Sequence, residues 1–136
     1  MVKVIHGGKG IGKTKFLLDH VNGAVDESKG DIVFIDTRGT HTTDLRHEIR
    51  YVNISEFPLA DLDDLFGFLC GMIAEDYDIT SIYMDGLERF EKEGASYNAF
   101  FDKVQSLENK YSMNFIFSAN KAMGELPAYV ISEYNQ

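Results

Sequence analysis

An α/β fold of three layers, with a mainly parallel sheet and helices on both faces, is predicted by three features of the chain. Short, near-continuous apolar runs rich in β-branched and aromatic residues alternate with segments whose apolar residues recur every three or four positions. Each run ends at a polar residue or a glycine, as a strand does where it meets a loop. The first run and the first helical segment are joined by a turn crowded with glycine and lysine.

Taken in order, the first strand is expected at 2–6, VKVIH, and the first helix after the turn, with Phe16, Leu17 and Val21 on one face and Asn22-Gly23 as its stop. DIVFID at 31–36 is the second strand, and YVNIS at 51–55 is a weaker candidate. Leu59, Leu62, Leu65, Phe66, Leu69 and Ile73 mark the second helix. The third strong strand is SIYMD at 81–85, after which Gly94 separates a short turn from a helix carrying Tyr97, Phe100, Phe101, Val104, Leu107 and Tyr111. NFIFS at 114–118 is the fourth. Strands alternating with helices imply right-handed crossovers. No repeat, low-complexity tract or linker interrupts the pattern, so 1–136 reads as one domain.

The charge balance narrows the partners. A net charge of −9 on 136 residues repels nucleic acid and anionic membranes, so nucleic acid is an unlikely ligand, although a local basic patch still attracts phosphates. The lone Cys70 has no partner for an internal disulfide, and it lies among Phe66, Leu69 and Ile73 as a core residue does. The N-terminal apolar run reaches glycine after five residues, too short for a signal-peptide core, and no stretch approaches the ~20 apolar residues of a membrane span. A cytoplasmic, soluble chain is the expectation.

Residues 7–14, GGKGIGKT, satisfy G-x-x-x-x-G-K-[ST], with a strand before and an amphipathic helix directly after, and so specify the three-layer P-loop NTPase fold. Glycines let successive backbone N–H groups turn inward into an anion nest, and the helix N-terminus adds partial positive charge there. Gly7, Gly8, Lys9, Gly10, Ile11, Gly12, Lys13, Thr14 and Lys15 are thus the candidate nucleotide-binding residues. Lys13 is expected to reach the β- and γ-phosphates and to act in catalysis, and the Thr14 hydroxyl to ligate Mg²⁺.

A second metal-site residue is expected at the end of a strand beside this loop. Asp85 and Asp36 both end apolar strands. Asp85 ends the third strong strand, as a Walker B aspartate does in the larger class that includes RecA-like proteins, and the next strand ends in Ser118 and Asn120, where a polar sensor is expected. Asp85 is therefore assigned to Mg²⁺, and Asp36 to a structural or capping role. Where many hydrolases of that class place a glutamate, directly after the aspartate, this chain has Gly86. Glu88 is the nearest candidate catalytic carboxylate; the alternative is a surface glutamate in a first helical turn.

The segment 36–50 gathers Arg38, His41, Arg46, His47 and Arg50. Arg38 follows a strand and so lies at the ligand edge of an α/β sheet, as a contact to a substrate phosphate or a finger on a neighbouring subunit; the alternative is a solvated face paired with Asp44 and Glu48. The two histidines have no cysteine pair and a spacing that does not bring them together, which argues against zinc.

With GGKGIGKTK, YDITSIYMDG, NFIFSAN and ELPAYV in hand, the chain resembles, nearly end to end, a group of small stand-alone P-loop proteins of Gram-positive bacteria with RecA-like cores. That resemblance implies nucleotide binding by residues 7–14 and Asp85, and no particular substrate. The function expected is binding of Mg-ATP, with slow or partner-activated hydrolysis, in a switch or assembly module that meets a protein partner or a second copy of itself. A small-molecule kinase and a degenerate scaffold are the alternatives. GTP is less expected, because the guanine pattern N-K-x-D is met only by NKAM at 120–123, with Met123 in place of the aspartate.

Overall fold

A computed structural model describes residues 1–7, 13–40, 42–94, 96–120 and 123–134. The strands are β1 (Val2–His6), β2 (Asp31–Asp36), β3 (Arg50–Asn53), β4 (Ile79–Asp85), β5 (Asn114–Ala119) and β6 (Val130–Tyr134). The helices are α1 (Lys13–Ala24), α2 (Leu62–Glu75) and α3 (Tyr97–Tyr111). All six strands pair in parallel, in the order β3-β2-β4-β5-β1-β6.

The alternation of side chains along each strand makes the three layers. Val4, Ile82, Met84, Phe115 and Phe117 point to the face covered by α2 and α3, where they meet Leu65, Leu69, Phe101 and Val104. Their neighbours Ile5, Tyr83 and Ile116 point to the opposite face, onto Leu17 and Val21 of α1. Each such fully buried side chain contributes about 1.5–3 kcal/mol of transfer free energy. Phe100, Phe101 and Phe117 meet edge to face, with centroids 5.4–5.9 Å apart, the geometry their ring quadrupoles favour.

Local chemistry sets the helix ends. The Asp61 side chain accepts from the Asp64 amide at 2.9 Å to start α2, and Asp64 returns the favour to the Ala60 amide at 2.8 Å. Ser96 caps α3 by accepting from Ala99 at 3.2 Å. Ser112 closes that helix in the left-handed region, at φ 54°.

The structure departs from the sequence reading in four places. One is Leu59: expected on the second helix, it precedes α2, which the Asp61 cap starts at Leu62. α1 continues through Asn22-Gly23 to Ala24. Asn22 is not free to stop it, because its side chain accepts the Arg46 amide and donates to the Asp44 carbonyl. Phe16, expected on the buried face, is 37% exposed, and Lys13, Leu17 and Val21 form that face instead. β6, which joins the sheet beside β1, was not anticipated: as an edge strand it buries Val130 but leaves Ile131 exposed, so its sequence lacks the continuous apolar run of its neighbours. The weak strand forms one residue early, over Arg50–Asn53, and Ile54 begins a 3₁₀ turn.

The topology creates a crevice. α1 leaves the C-terminal end of β1 toward one face, whereas α3 follows β4 on the other. At the C-terminal ends of β4 and β5, beside the start of α1, the described residues leave an open space, on the edge where open α/β sheets receive ligands.

Candidate functional site

That space is a cavity of about 190 Å³ lined by Lys13, Thr14, Thr37, Arg38, Asp85, Gly86, Glu88, Ser118 and Asn120. Residues from four separate stretches of chain meet there: the start of α1, the end of β2, the end of β4 with its following turn, and the end of β5.

The centre is Asp85. Thr14 at the first turn of α1 places its hydroxyl 3.2 Å from Asp85 Oδ2 and 3.5 Å from Oδ1. Ser118 donates to Asp85 Oδ1 at 2.5 Å. The same Ser118 oxygen accepts the Gly86 amide at 3.0 Å, so one hydroxyl fixes both the carboxylate and the chain that leaves it. This is possible because β4 and β5 are adjacent and Met84 is in register with Phe117, which sets Asp85 beside Ser118. Lys13, a side chain that usually reaches water, is buried at 9% exposure on the wall of the same cavity.

Asp36, the competing strand-end aspartate, is in register with Asp85 across β2 and β4. It is turned to other work. Its Oδ1 accepts the Arg38 amide at 2.9 Å, and its Oδ2 accepts the Thr40 amide and the Tyr51 hydroxyl, both at 2.8 Å. At 1% exposure it braces the loop after β2 and does not line the cavity.

Gly86 explains the missing glutamate in steric terms. Its φ is +93°, and a Cβ built there would lie 2.5 Å from Thr37 Oγ1. No side chain fits at that position without moving the buried Thr37. The left-handed turn at Gly86 opens the 3₁₀ helix Leu87–Phe90, which swings Glu88 back over the end of β4.

Glu88 accordingly lines the cavity. Its Oε2 is buried and, among the described residues, has no hydrogen-bond partner. Burial raises its carboxyl above the ordinary range, and the Asp85 carboxylate adds to the rise. The Glu88 and Asn120 main-chain groups and the Arg38 guanidinium pull the other way.

Among the described residues no group of three or more His, Cys, Asp or Glu side chains is arranged to hold a metal. A magnesium ion is held differently, by one or two protein oxygens together with waters and phosphate oxygens. The Thr14 hydroxyl and Asp85 carboxylate match that donor set.

No protein-family model matches the chain, and no curated protein matches it.

Of the residues expected from sequence, Lys13, Thr14, Asp85 and Glu88 converge on one cavity, with Ser118 and Asn120. Gly8, Lys9, Gly10, Ile11 and Gly12 lie outside the described residues, as does His41. Gly7 is described and follows β1 directly. Lys15 does not join the cavity; its ammonium is exposed and paired with Asp19 at 2.7 Å, one helical turn on. The basic stretch after β2 disperses. Arg46 pairs with Asp26 and Glu48, and Arg50 with Asp76, while Arg38 is the one basic residue of that stretch, among those described, that lines the cavity. Thr37 and Arg89, which border the site, carried no sequence signal, since they belong to no spacing pattern. No helix among the described residues is long and apolar enough to cross a membrane.

Proposed function

We propose that this chain is a Mg-ATP-binding P-loop protein, a slow or partner-activated ATP hydrolase that works as a switch or assembly module. The observation that carries the reading is the Thr14–Asp85 pair, a hydroxyl and a carboxylate 3.2 Å apart at the mouth of a crevice, on the wall of which Lys13 is buried. A glycine-rich sequence precedes them. Lysine, hydroxyl and carboxylate in that order are the set that phosphates and magnesium require. Magnesium, when bound, would neutralise charge on the phosphate oxygens.

The same carboxylates support a metal requirement. Asp85 and Glu88 face one small cavity, and their repulsion contributes to the raised proton affinity of Glu88. A cation between them relieves that repulsion. Glu88 also supports the low intrinsic turnover in this reading. It is the candidate base of this reading, and its Oε2 is buried, so an attacking water has to reach an enclosed oxygen. A partner that reorders the turn Leu87–Phe90 would release that restraint.

Calorimetric titration with ATP and GTP, with and without Mg²⁺, tests the reading. Binding of ATP that strengthens with Mg²⁺, together with slow release of ADP, is the expected result. Absence of binding at millimolar nucleotide would leave only the scaffold. A second reading, a small-molecule kinase, is favoured by one observation: an adjacent depression that shares Glu88 with the cavity is lined by two arginines.

A further inference from the structure

The four arginines of this acidic chain divide into two pairs. Arg46 is neutralised by Asp26 at 3.1 Å and Glu48 at 2.9 Å, and Arg50 by Asp76 at 2.8 Å. Arg38 and Arg89 have no carboxylate within ion-pair distance among the described residues.

Those two arginines share a depression of about 320 Å³ with Thr37, Gly86 and Glu88. Thr37, Arg38, Gly86 and Glu88 also line the cavity that holds Asp85, so the two spaces are adjacent and share Glu88 on their walls. Arg89 is held in place before any ligand arrives. Its guanidinium lies over the Phe90 ring, 5.1 Å from the centroid, and its amide is bonded to the Gly86 carbonyl at 3.1 Å. The main chain of Arg38 is fixed by the bond from its amide to Asp36 Oδ1 at 2.9 Å. Two planar donor forks that line one depression, one of them lying over an aromatic ring, are suited to an anion with several acceptor oxygens.

We propose that this depression is a second-ligand subsite that binds a small phosphate- or carboxylate-bearing molecule through Arg38 and Arg89, directly beside the nucleotide cavity. The inference rests on the nucleotide reading only for what occupies the neighbouring cavity. Its ligand is a small molecule, because the depression is bounded by five residues. A ligand held there presents its other end to Glu88, the carboxylate on the walls of both spaces. The depression thereby gives the kinase reading an acceptor site, and the hydrolase reading a small-molecule activator site.

Inorganic phosphate is the probe, titrated by calorimetry in two settings: protein saturated with a non-hydrolysable ATP analogue and Mg²⁺, and the Lys13→Ala variant without nucleotide. In the first setting the analogue occupies the nucleotide cavity; in the second Lys13→Ala weakens phosphate binding there, and the response to Arg89→Gln, a residue that lines the depression and not that cavity, marks the signal of the subsite. Phosphate binds in both settings, and Arg89→Gln or Arg38→Gln weakens it by about tenfold, the loss of a charge-assisted contact. Arg46→Gln, whose guanidinium is already paired, leaves it within about twofold. Citrate, carrying carboxylates instead, competes with phosphate if the subsite takes both chemistries; failure to compete narrows it to phosphate. No phosphate binding in the Lys13→Ala protein, or binding equally insensitive to Arg89→Gln and Arg46→Gln, overturns the subsite. Failure of the analogue to bind the unmutated chain overturns the nucleotide reading instead, and leaves the Lys13→Ala arm to judge the subsite alone.

Discussion

The Thr14 hydroxyl, at the start of α1, lies 3.2 Å from the Asp85 carboxylate, at the end of β4, across 71 residues of sequence. Their meeting depends on β5, because Ser118 holds the Asp85 carboxylate at 2.5 Å and the following Gly86 amide at 3.0 Å. The metal function proposed for this pair therefore separates Asp85 from its neighbour in register, Asp36.

Asp85→Asn is expected to remove most of the strengthening of ATP binding by Mg²⁺ while leaving nucleotide binding without metal nearly intact. Asp36→Asn is expected to do the reverse. It weakens the acceptor of two loop amides and a tyrosine hydroxyl, costs about 1–3 kcal/mol of stability, and leaves the Mg²⁺ effect unchanged. Calorimetry at several Mg²⁺ concentrations and urea unfolding of both variants check this. A Mg²⁺ effect that survives Asp85→Asn and disappears in Asp36→Asn would move the metal to β2.

Gly86→Ala is expected to destabilise the fold by roughly 1–3 kcal/mol, because it puts a side chain at positive φ. The new Cβ also meets Thr37 Oγ1 at 2.5 Å. Shortening that neighbour in the double variant Thr37→Ala/Gly86→Ala removes the clash but not the backbone strain, so it restores part of the loss. Denaturant midpoints of the two single variants and the double variant give the answer. Full additivity would show that the clash plays no part.

Glu88→Gln tests the burial of that carboxylate through pH. The Glu88 pKa is raised in the folded protein above its ordinary 4.5, chiefly by desolvation. A raised carboxyl pKa favours folding while the group is protonated, and that advantage is lost as pH rises through the folded pKa. Relative to the Gln variant, the unmutated chain is therefore expected to lose stability as pH rises from about 4 to about 8. Thermal unfolding at several pH values measures it: Glu88→Gln melts higher at about pH 8, with the gap closing toward about pH 4. A gap independent of pH would mean that Glu88 is solvated.

Much of the fold was legible because the central strands are buried on both faces. DIVFID and NFIFS are continuous apolar runs for that reason, and β2 and β5 form where those runs lie. β6 was not legible, since an edge strand needs apolar side chains on only one face and its exposed Ile131 breaks the pattern that burial would impose. Phe16 misled for the opposite reason: helical spacing finds a face but not its width, and the stripe of α1 passes through Lys13, Leu17 and Val21. Within the site, Asp85 could be singled out by strand count alone. Glu88 could not be told from a surface glutamate, because its place in the cavity depends on the left-handed turn at Gly86, a backbone angle that one glycine in a sequence does not announce. Arg89 is legible only once Phe90 and Gly86 are known to hold it.

Lys13 carries the most direct test of the account, because phosphate binding is the role the proposed site gives this buried residue first. Titrating Mg-ATP into the unmutated chain and into Lys13→Ala, with circular dichroism to confirm that both fold, measures it. The account predicts that the unmutated chain binds and that the variant loses about 1.5–3 kcal/mol, roughly ten- to a hundredfold in affinity. Equal affinity in two folded proteins, or no binding by either, would contradict it.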